Sequence, residues 1–340
     1  MVNTSSAPRT LKRARISSLA TYVPPRVLTN ADLERMVDTS DEWIMQRVGI
    51  RERHIVDEGV ATSDLAREAS LKAIERAGLT PADIDFIVVG TTTPDTLFPS
   101  TACVLQDMIG AENAWGYDLV AACSGFVYAL TTGASMVSSG MSRHALVVGA
   151  DVMSSIIDYT DRTTCVLFGD GAGACVVEAT DDEQYGILDF ENYVDGSGGP
   201  ALCMPAGGSR LPASKATIEN RQHYVRQDGQ TVFKFAVRNM EEVCRRMLDR
   251  NGLTPADIDL FVPHQASSRI IKHAAEKLGL PEEKVVINLD RYGNTTAGTI
   301  PLALNEAVET KRVKRGDLVM MASVGAGFTV GGMLMRWGLD

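Results

Sequence analysis

The chain has 340 residues, with 33 Lys and Arg against 43 Asp and Glu, and so a formal charge of −10 at neutral pH. At 45% hydrophobic and 22% charged residues it reads as a soluble globular protein, one large α/β body or two domain-sized units, whose core needs no disulfide or metal staple. The charge excludes a general nucleic-acid binder, whose surface must neutralise phosphates, but not a local basic patch around an anionic ligand.

The first 31 residues carry Arg9, Lys12, Arg13, Arg15 and Arg26 and no acid, without the apolar stretch of a signal peptide. Residues 1–13 read as a flexible basic leader on a cytoplasmic protein, with a targeting segment as the alternative. A helical pattern follows over Ser63–Ala77. Then come the octet GLTPADID (78–85) and the apolar strand FIVVG (86–90). Leu119–Ser142 holds no charge, yet its Ser, Thr and Gly residues argue for a buried helix and against a membrane span. The strand ALVVGAD (145–151) comes next. GDGAGA (169–174) and GSGG (196–199) do not complete a dinucleotide or phosphate-loop pattern, so they read as tight turns and close packing.

The second half repeats the first. A helical pattern over Phe235–Asn251 leads to a second GLTPADID at 252–259, 174 positions after the first, and then to the strand LFVP (260–263). In both copies Gly suits a helix C-terminus and Thr-Pro opens a short turn. Cys123 precedes a helical run, a basic turn and the strand at 145–151. Asn294 likewise precedes a helical run, a basic turn and the strand DLVMMAS (317–323). Cys123 and Asn294 are therefore expected at corresponding places in two copies of one β-α-β architecture, which implies parallel strands covered by helices.

Six Cys stand at 103, 123, 165, 175, 203 and 244, with no CxxC pair, so no metal site is expected and the thiols read as reduced. Cys123 is the candidate nucleophile. At a helix N-terminus, free N–H groups and the dipole favour the thiolate. His264, at the end of strand LFVP, lies where α/β proteins place ligand-facing groups. With Asn294 it falls at corresponding strand ends of two related halves, so the three are expected to converge. For each alone, an inert thiol, a hydrogen-bonded structural His and a turn Asn are the plain alternatives.

The motifs AACSGF around Cys123, PHQASSRI around His264 and GNTTAGT around Asn294 resemble the β-ketoacyl-acyl carrier protein synthase III family of the thiolase superfamily. The resemblance runs from Ala14 to Trp337 and includes DTSDEWI, RVGIRERH, FPSTAC, DRTT and FGDGAGA. It implies an α/β, thiolase-like five-layer αβαβα fold with internal duplication. The division implied is an N-terminal half over 14–185 with the Cys and a C-terminal half over 186–340 with the His and Asn, in a homodimer. It also implies an acyltransferase that primes fatty acid synthesis. A short acyl-CoA starter acylates Cys123, and malonyl-acyl carrier protein then condenses with loss of CO2. Acyl-CoA is a substrate, and no cofactor is expected.

By the same resemblance, the backbone N–H groups of Cys123 and Ala326 form the oxyanion hole, and His264 Nε2–H and the Asn294 amide face the enolate. Trp43 and Arg162 sandwich the adenine of CoA, Arg47 lies near its phosphates, and Ser267 touches it. Gln265, Ala266, Ser267, Ser268 and Arg269 form the carrier-protein docking segment, assisted by Lys234. Phe98 reaches from the neighbouring subunit to the acyl pocket and favours short starters. Two departures stand out: Val324 where many relatives carry an aromatic, and Ser267 where some carry Asn. A related enzyme that primes a polyketide or quinolone pathway is the nearest alternative. A non-catalytic acyl-CoA or carrier-protein binding module is the alternative from another class.

Overall fold

The computed structural model describes residues 11–340, so most of the expected leader, residues 1–10, lies outside the described residues. The first strand, β1 (Arg13–Tyr22), already begins at Arg13. Chain order then runs α1 (Asp41–Arg47), α2 (Thr62–Arg76), β2 (Phe86–Gly90), α3 (Thr101–Ile109), β3 (Trp115–Leu119), α4 (Gly125–Ser138), β4 (His144–Asp151) and β5 (Gly171–Thr180). It continues with β6 (Gly186–Val194), α5 (Gly229–Arg250), β7 (Leu260–Pro263), α6 (Ser268–Leu278), α7 (Thr299–Glu309), β8 (Leu318–Gly325) and β9 (Thr329–Arg336).

Two mixed sheets form. The first has the order β1-β5-β4-β2-β3 and the second β7-β8-β9-β6. Strand β2 runs parallel to β3 and β4, and β7 runs parallel to β8; the other neighbours are antiparallel. Alternation along each strand feeds two layers. Phe86 and Val88 of β2 join the core between the sheets, while Ile87 and Val89 face the outer helix α2. Phe126 and Leu130 of α4 and Ile300 and Leu304 of α7 fill the space between the sheets. Met240, Val243 and Met247 of α5 cover the far side of the second sheet with Ile271 of α6. The layers are therefore α2 and α3, sheet, α4 and α7, sheet, α5 and α6, the five-layer αβαβα arrangement.

The repeat is structural as well as textual. Each octet closes a helix with a left-handed glycine, Gly78 (φ 70°) or Gly252 (φ 66°). Each then caps a short turn, with Thr80 Oγ1 donating to Asp83 and Thr254 Oγ1 donating to Asp257, both at 2.7 Å. The offset of 174 persists downstream. It relates the left-handed residues Ala122 (φ 47°) and Thr296 (φ 52°), the helix starts Gly125 and Thr299, and both ends of β4 and β8. This corrects the expected pairing of Cys123 with Asn294. At that offset Cys123 corresponds to Ala297, and Asn294 lies three residues earlier, at the place of Val120. The distance from each residue to its next strand hides the difference, because Leu318, the first residue of β8, corresponds to His144 and not to Leu146.

Candidate active site

Cys123 sits in a single turn, Ala122–Ser124, between β3 and α4. The turn is pinned by the other half: Thr329 Oγ1 of β9 donates to the Ala121 carbonyl at 2.8 Å. The end of β8 closes on it so tightly that a Cβ on Gly325 would lie 2.7 Å from the Cys123 nitrogen. That contact brings the Gly325–Gly327 turn, and with it Ala326, beside the Cys123 backbone.

His264 follows β7 directly. Its N–H donates to the Ala322 carbonyl of β8 at 2.8 Å, extending the parallel ladder by one residue. Its ring is buried, with Nδ1 2.6 Å from the Thr299 hydroxyl at the start of α7 and Nε2 without a protein partner. Asn294 donates its N–H to the Leu167 carbonyl at 2.9 Å. Its Oδ1 accepts from Thr296 N at 2.9 Å, so the amide NH2 is left for the cavity.

Cys123, His264 and Asn294 line one cavity of about 570 Å3. Burial pushes the Cys123 thiol up to about 12, aided by the Asp151 carboxylate and opposed by hydrogen bonds from its backbone and the Asn294 side chain. Desolvation thus works against the thiolate that a helix N-terminus favours. Burial also pushes His264 down to about 3, so the imidazole is neutral. Asp151, at the end of β4, is itself fully buried. It accepts hydrogen bonds from Thr92 N at 2.7 Å and from Ala297 N at 3.1 Å, tying the loop after β2 to the turn after Asn294.

The remaining expected residues divide into groups. Trp43, Arg47, Ala266, Ser267 and Arg269 line the same cavity as the three central residues. Ser267 also caps α6, accepting from Arg269 N at 3.3 Å. Arg162 lies over the Trp43 ring at 5.6 Å and donates to the Asp38 carbonyl at 2.8 Å. That is a direct cation–π contact, so a base would enter the expected sandwich only if Arg162 swings aside. Arg269 is exposed and stacks over Phe233 at 5.1 Å. Ser268 packs against Gly49, with its N–H donating to the Val48 carbonyl at 2.9 Å. Lys234 is exposed on the wall of a neighbouring cleft.

Gln265 requires correction as a docking residue. It is buried, its amide donates to the Pro263 and Val286 carbonyls at 2.8 and 3.0 Å, and its oxygen accepts from Asn288 N at 3.0 Å. It braces the chain behind His264 and presents nothing to a partner. Phe98 is 85% exposed and lies outside the cavity of its own chain.

Sequence reasoning missed Phe233, Met240 and Phe328 in the cavity wall, and Asp151 and Thr299 behind it. Phe233 adjoins Lys234 and could have been found with it. Nothing in the sequence separates Thr299 from Thr295 and Thr296.

Fold and cavity together define a condensing enzyme of the thiolase superfamily. The family model 3-oxoacyl-[acyl-carrier-protein (ACP)] synthase III matches residues 117–196, and its C-terminal companion matches 248–337. The chain is 58% identical over 329 residues to the β-ketoacyl-[acyl-carrier-protein] synthase III of Solibacter usitatus, covering 96% of this chain and 99% of that one. It superposes on the 3-oxoacyl-[acyl-carrier-protein] synthase III crystal structure from Aquifex aeolicus with a TM-score of 0.88 and 44% identity, over 95% of this chain and 100% of that one. It is also similar to the priming β-ketosynthase of the R1128 polyketide biosynthetic pathway, with a TM-score of 0.89 and 35% identity over 98% of this chain and 99% of that one. The chain belongs to the β-ketoacyl-acyl carrier protein synthase III family.

Proposed function

We propose that this enzyme starts fatty acid synthesis with Cys123 as its acyl carrier, condensing a short acyl-CoA with malonyl-acyl carrier protein. The observation that carries the reading is the convergence of Cys123, His264 and Asn294 on one cavity. The thiol attacks the acyl-CoA thioester, a soft nucleophile suited to thioester exchange. The backbone N–H groups of Cys123 and Ala326 receive the oxyanion. CoA leaves, the malonyl thioester enters, and loss of CO2 places charge on its carbonyl oxygen. The NH2 of Asn294 and Nε2 of His264, when protonated, meet that charge. The carbanion then attacks acyl-Cys123 to give a 3-oxoacyl product.

Both substrates bring anionic groups to a protein of charge −10. Among the described residues, Arg47, Lys234 and Arg269 form no salt bridge, which leaves their charge available around the cavity. Arg47, Arg162, Trp43 and Ser267 hold CoA in this reading. Ala266, Ser268, Arg269 and Lys234 receive the carrier protein. Residues 14–185 and 186–340 act as two halves of one catalytic body, and β6, the first strand of the second half, begins at Gly186. A homodimer brings Phe98 of the partner subunit to the acyl pocket and favours short starters. Free cysteines throughout and no helix long and apolar enough to cross a membrane among the described residues support work in the cytoplasm.

The test is intact-mass analysis after incubation with a panel of acyl-CoAs. An acyl adduct should form and should disappear on addition of malonyl-acyl carrier protein as 3-oxoacyl product appears. An adduct that persists unchanged in Cys123→Ser sinks the nucleophile assignment, and no adduct with any acyl-CoA favours a binding module. Asn294→Ala should keep acylation within a few-fold and lose condensation by about a hundredfold or more, the scale of one oxyanion donor. Survival of both half-reactions refutes the enolate role.

A further inference from the structure

His264 is buried, so every polar atom of its ring has to be accounted for. Nδ1 lies 2.6 Å from the Thr299 hydroxyl. The same hydroxyl lies 3.1 Å from the Thr296 carbonyl oxygen. A hydroxyl has one hydrogen, and a carbonyl oxygen only accepts. Thr299 satisfies both contacts in one way: it donates to Thr296 and accepts from an N–H on Nδ1. Donation to Nδ1 instead would leave two oxygens facing each other without a hydrogen. Because burial keeps the imidazole neutral, a proton on Nδ1 leaves Nε2 bare, and Nε2 is the ring atom without a protein partner.

We infer that Thr299 is a positioning residue that fixes His264 as the Nδ1–H tautomer, so that Nε2 receives the thiol proton of Cys123 during acylation. The inference rests on the acyl-cysteine reading above. Cys123 and His264 line one cavity, and a buried thiol needs such an acceptor, since burial disfavours its ionisation. As Sγ bonds to the acyl carbon, its proton moves to Nε2. The bond from that carbon to the CoA sulfur then breaks, and CoA takes the proton as it leaves. One S–H is lost and one is formed.

Condensation has a different balance. The malonyl C–C bond to the carboxylate breaks, its electron pair forms the enolate, and CO2 departs. The new C–C bond forms while the acyl bond to Sγ breaks, which frees Cys123 as a thiolate. One proton, drawn from solvent onto Nε2 as the malonyl carboxylate enters, supplies the N–H that faces the enolate. That proton ends on Sγ.

Through both halves Nδ1–H and the two Thr299 hydrogen bonds stay unchanged, while Nε2 alternates between bare and protonated. The opposite tautomer lacks this property. Its bond from Thr299 to bare Nδ1 would break whenever the ring became an imidazolium.

The direct test is nitrogen NMR on the unsubstituted protein labelled with 15N-histidine, with His264 assigned by the signal lost in His264→Ala. At neutral pH, His264 should show a protonated Nδ1 and an unprotonated Nε2. The reverse tautomer, or an imidazolium, overturns the inference. A second arm measures single-turnover acylation by acetyl-CoA. Thr299→Val should slow it by at least about tenfold, a part of the roughly hundredfold or more that a general base contributes, and Thr299→Ser should recover most of the rate. An unchanged rate in a folded Thr299→Val also overturns it. The NMR arm needs no folded Thr299 variant. If the unsubstituted protein forms no adduct on Cys123, the acyl-cysteine reading fails. If an adduct forms but Nε2 carries the proton, the tautomer assignment alone fails.

Discussion

At the scale of single residues, the identities of the reacting groups and their protonation states come from different sources. Cys123, His264 and Asn294 were legible because each sits in a distinctive motif, although only His264 directly follows a strand, while Cys123 and Asn294 lie in the turns before α4 and α7. Their charge was not legible. The helix-terminus argument points to a thiolate, whereas burial and Asp151 push the thiol up to about 12. Asp151 lies on another strand, and only folding brings it near. Gln265 shows the opposite failure, since its place within a docking motif suggested a surface role while the fold turned it inward. The thiol state is checked by iodoacetamide alkylation of Cys123. With the folded value near 12, the thiolate fraction and the rate should climb about tenfold per pH unit from pH 7 to 10. A rate that levels off in that range would mean a preformed thiolate.

At the scale of elements, the strands FIVVG and LFVP fall where the sequence placed them, because both are short apolar runs bounded by turn signals. The octet was legible as punctuation for the same reason. The register between halves was not, because it depends on where a left-handed residue closes each turn, and Ala122 and Thr296 are not residue types that announce it. Glycines at strand ends then set how deeply these turns sit. A Cβ on Gly90, ending β2, would lie 2.6 Å from the Gly125 backbone at the start of α4. A Cβ on Gly149 in β4 would collide with the Ala297 carbonyl, beside the Asn294 turn. Backbone cannot yield as a side-chain tip can. Gly149→Ala should therefore cost roughly 2 kcal/mol in urea unfolding, within the usual range for overpacking. It should also reduce condensation more than acylation, because the displaced turn carries Asn294 and not Cys123. Equal loss of both half-reactions would place the effect on global stability.

For the whole molecule, five layers account for the cores and leave the border along β3 open. Strand β3 is an edge of the first sheet, and its first residue, Trp115, is half-exposed. Val120, just after it, is exposed, as are Leu97 and Phe98 on the loop before α3. An open strand edge beside exposed large apolar side chains is a surface that invites pairing with another chain. A second copy suits it, since a twofold contact pairs one patch with itself and would carry Phe98 of each chain toward the other's cavity. In solution the protein should run near twice its 36.6 kDa chain mass. Replacing Leu97 with Asp and Phe98 with Ser should shift it toward the monomer, read by light scattering, and lower acylation of Cys123 by about tenfold or more through loss of an ordered pocket wall. A fully active monomer would refute both the dimer and the role of Phe98. A dimer with unchanged mass but altered starter preference would keep Phe98 at the pocket and move the main interface elsewhere along β3.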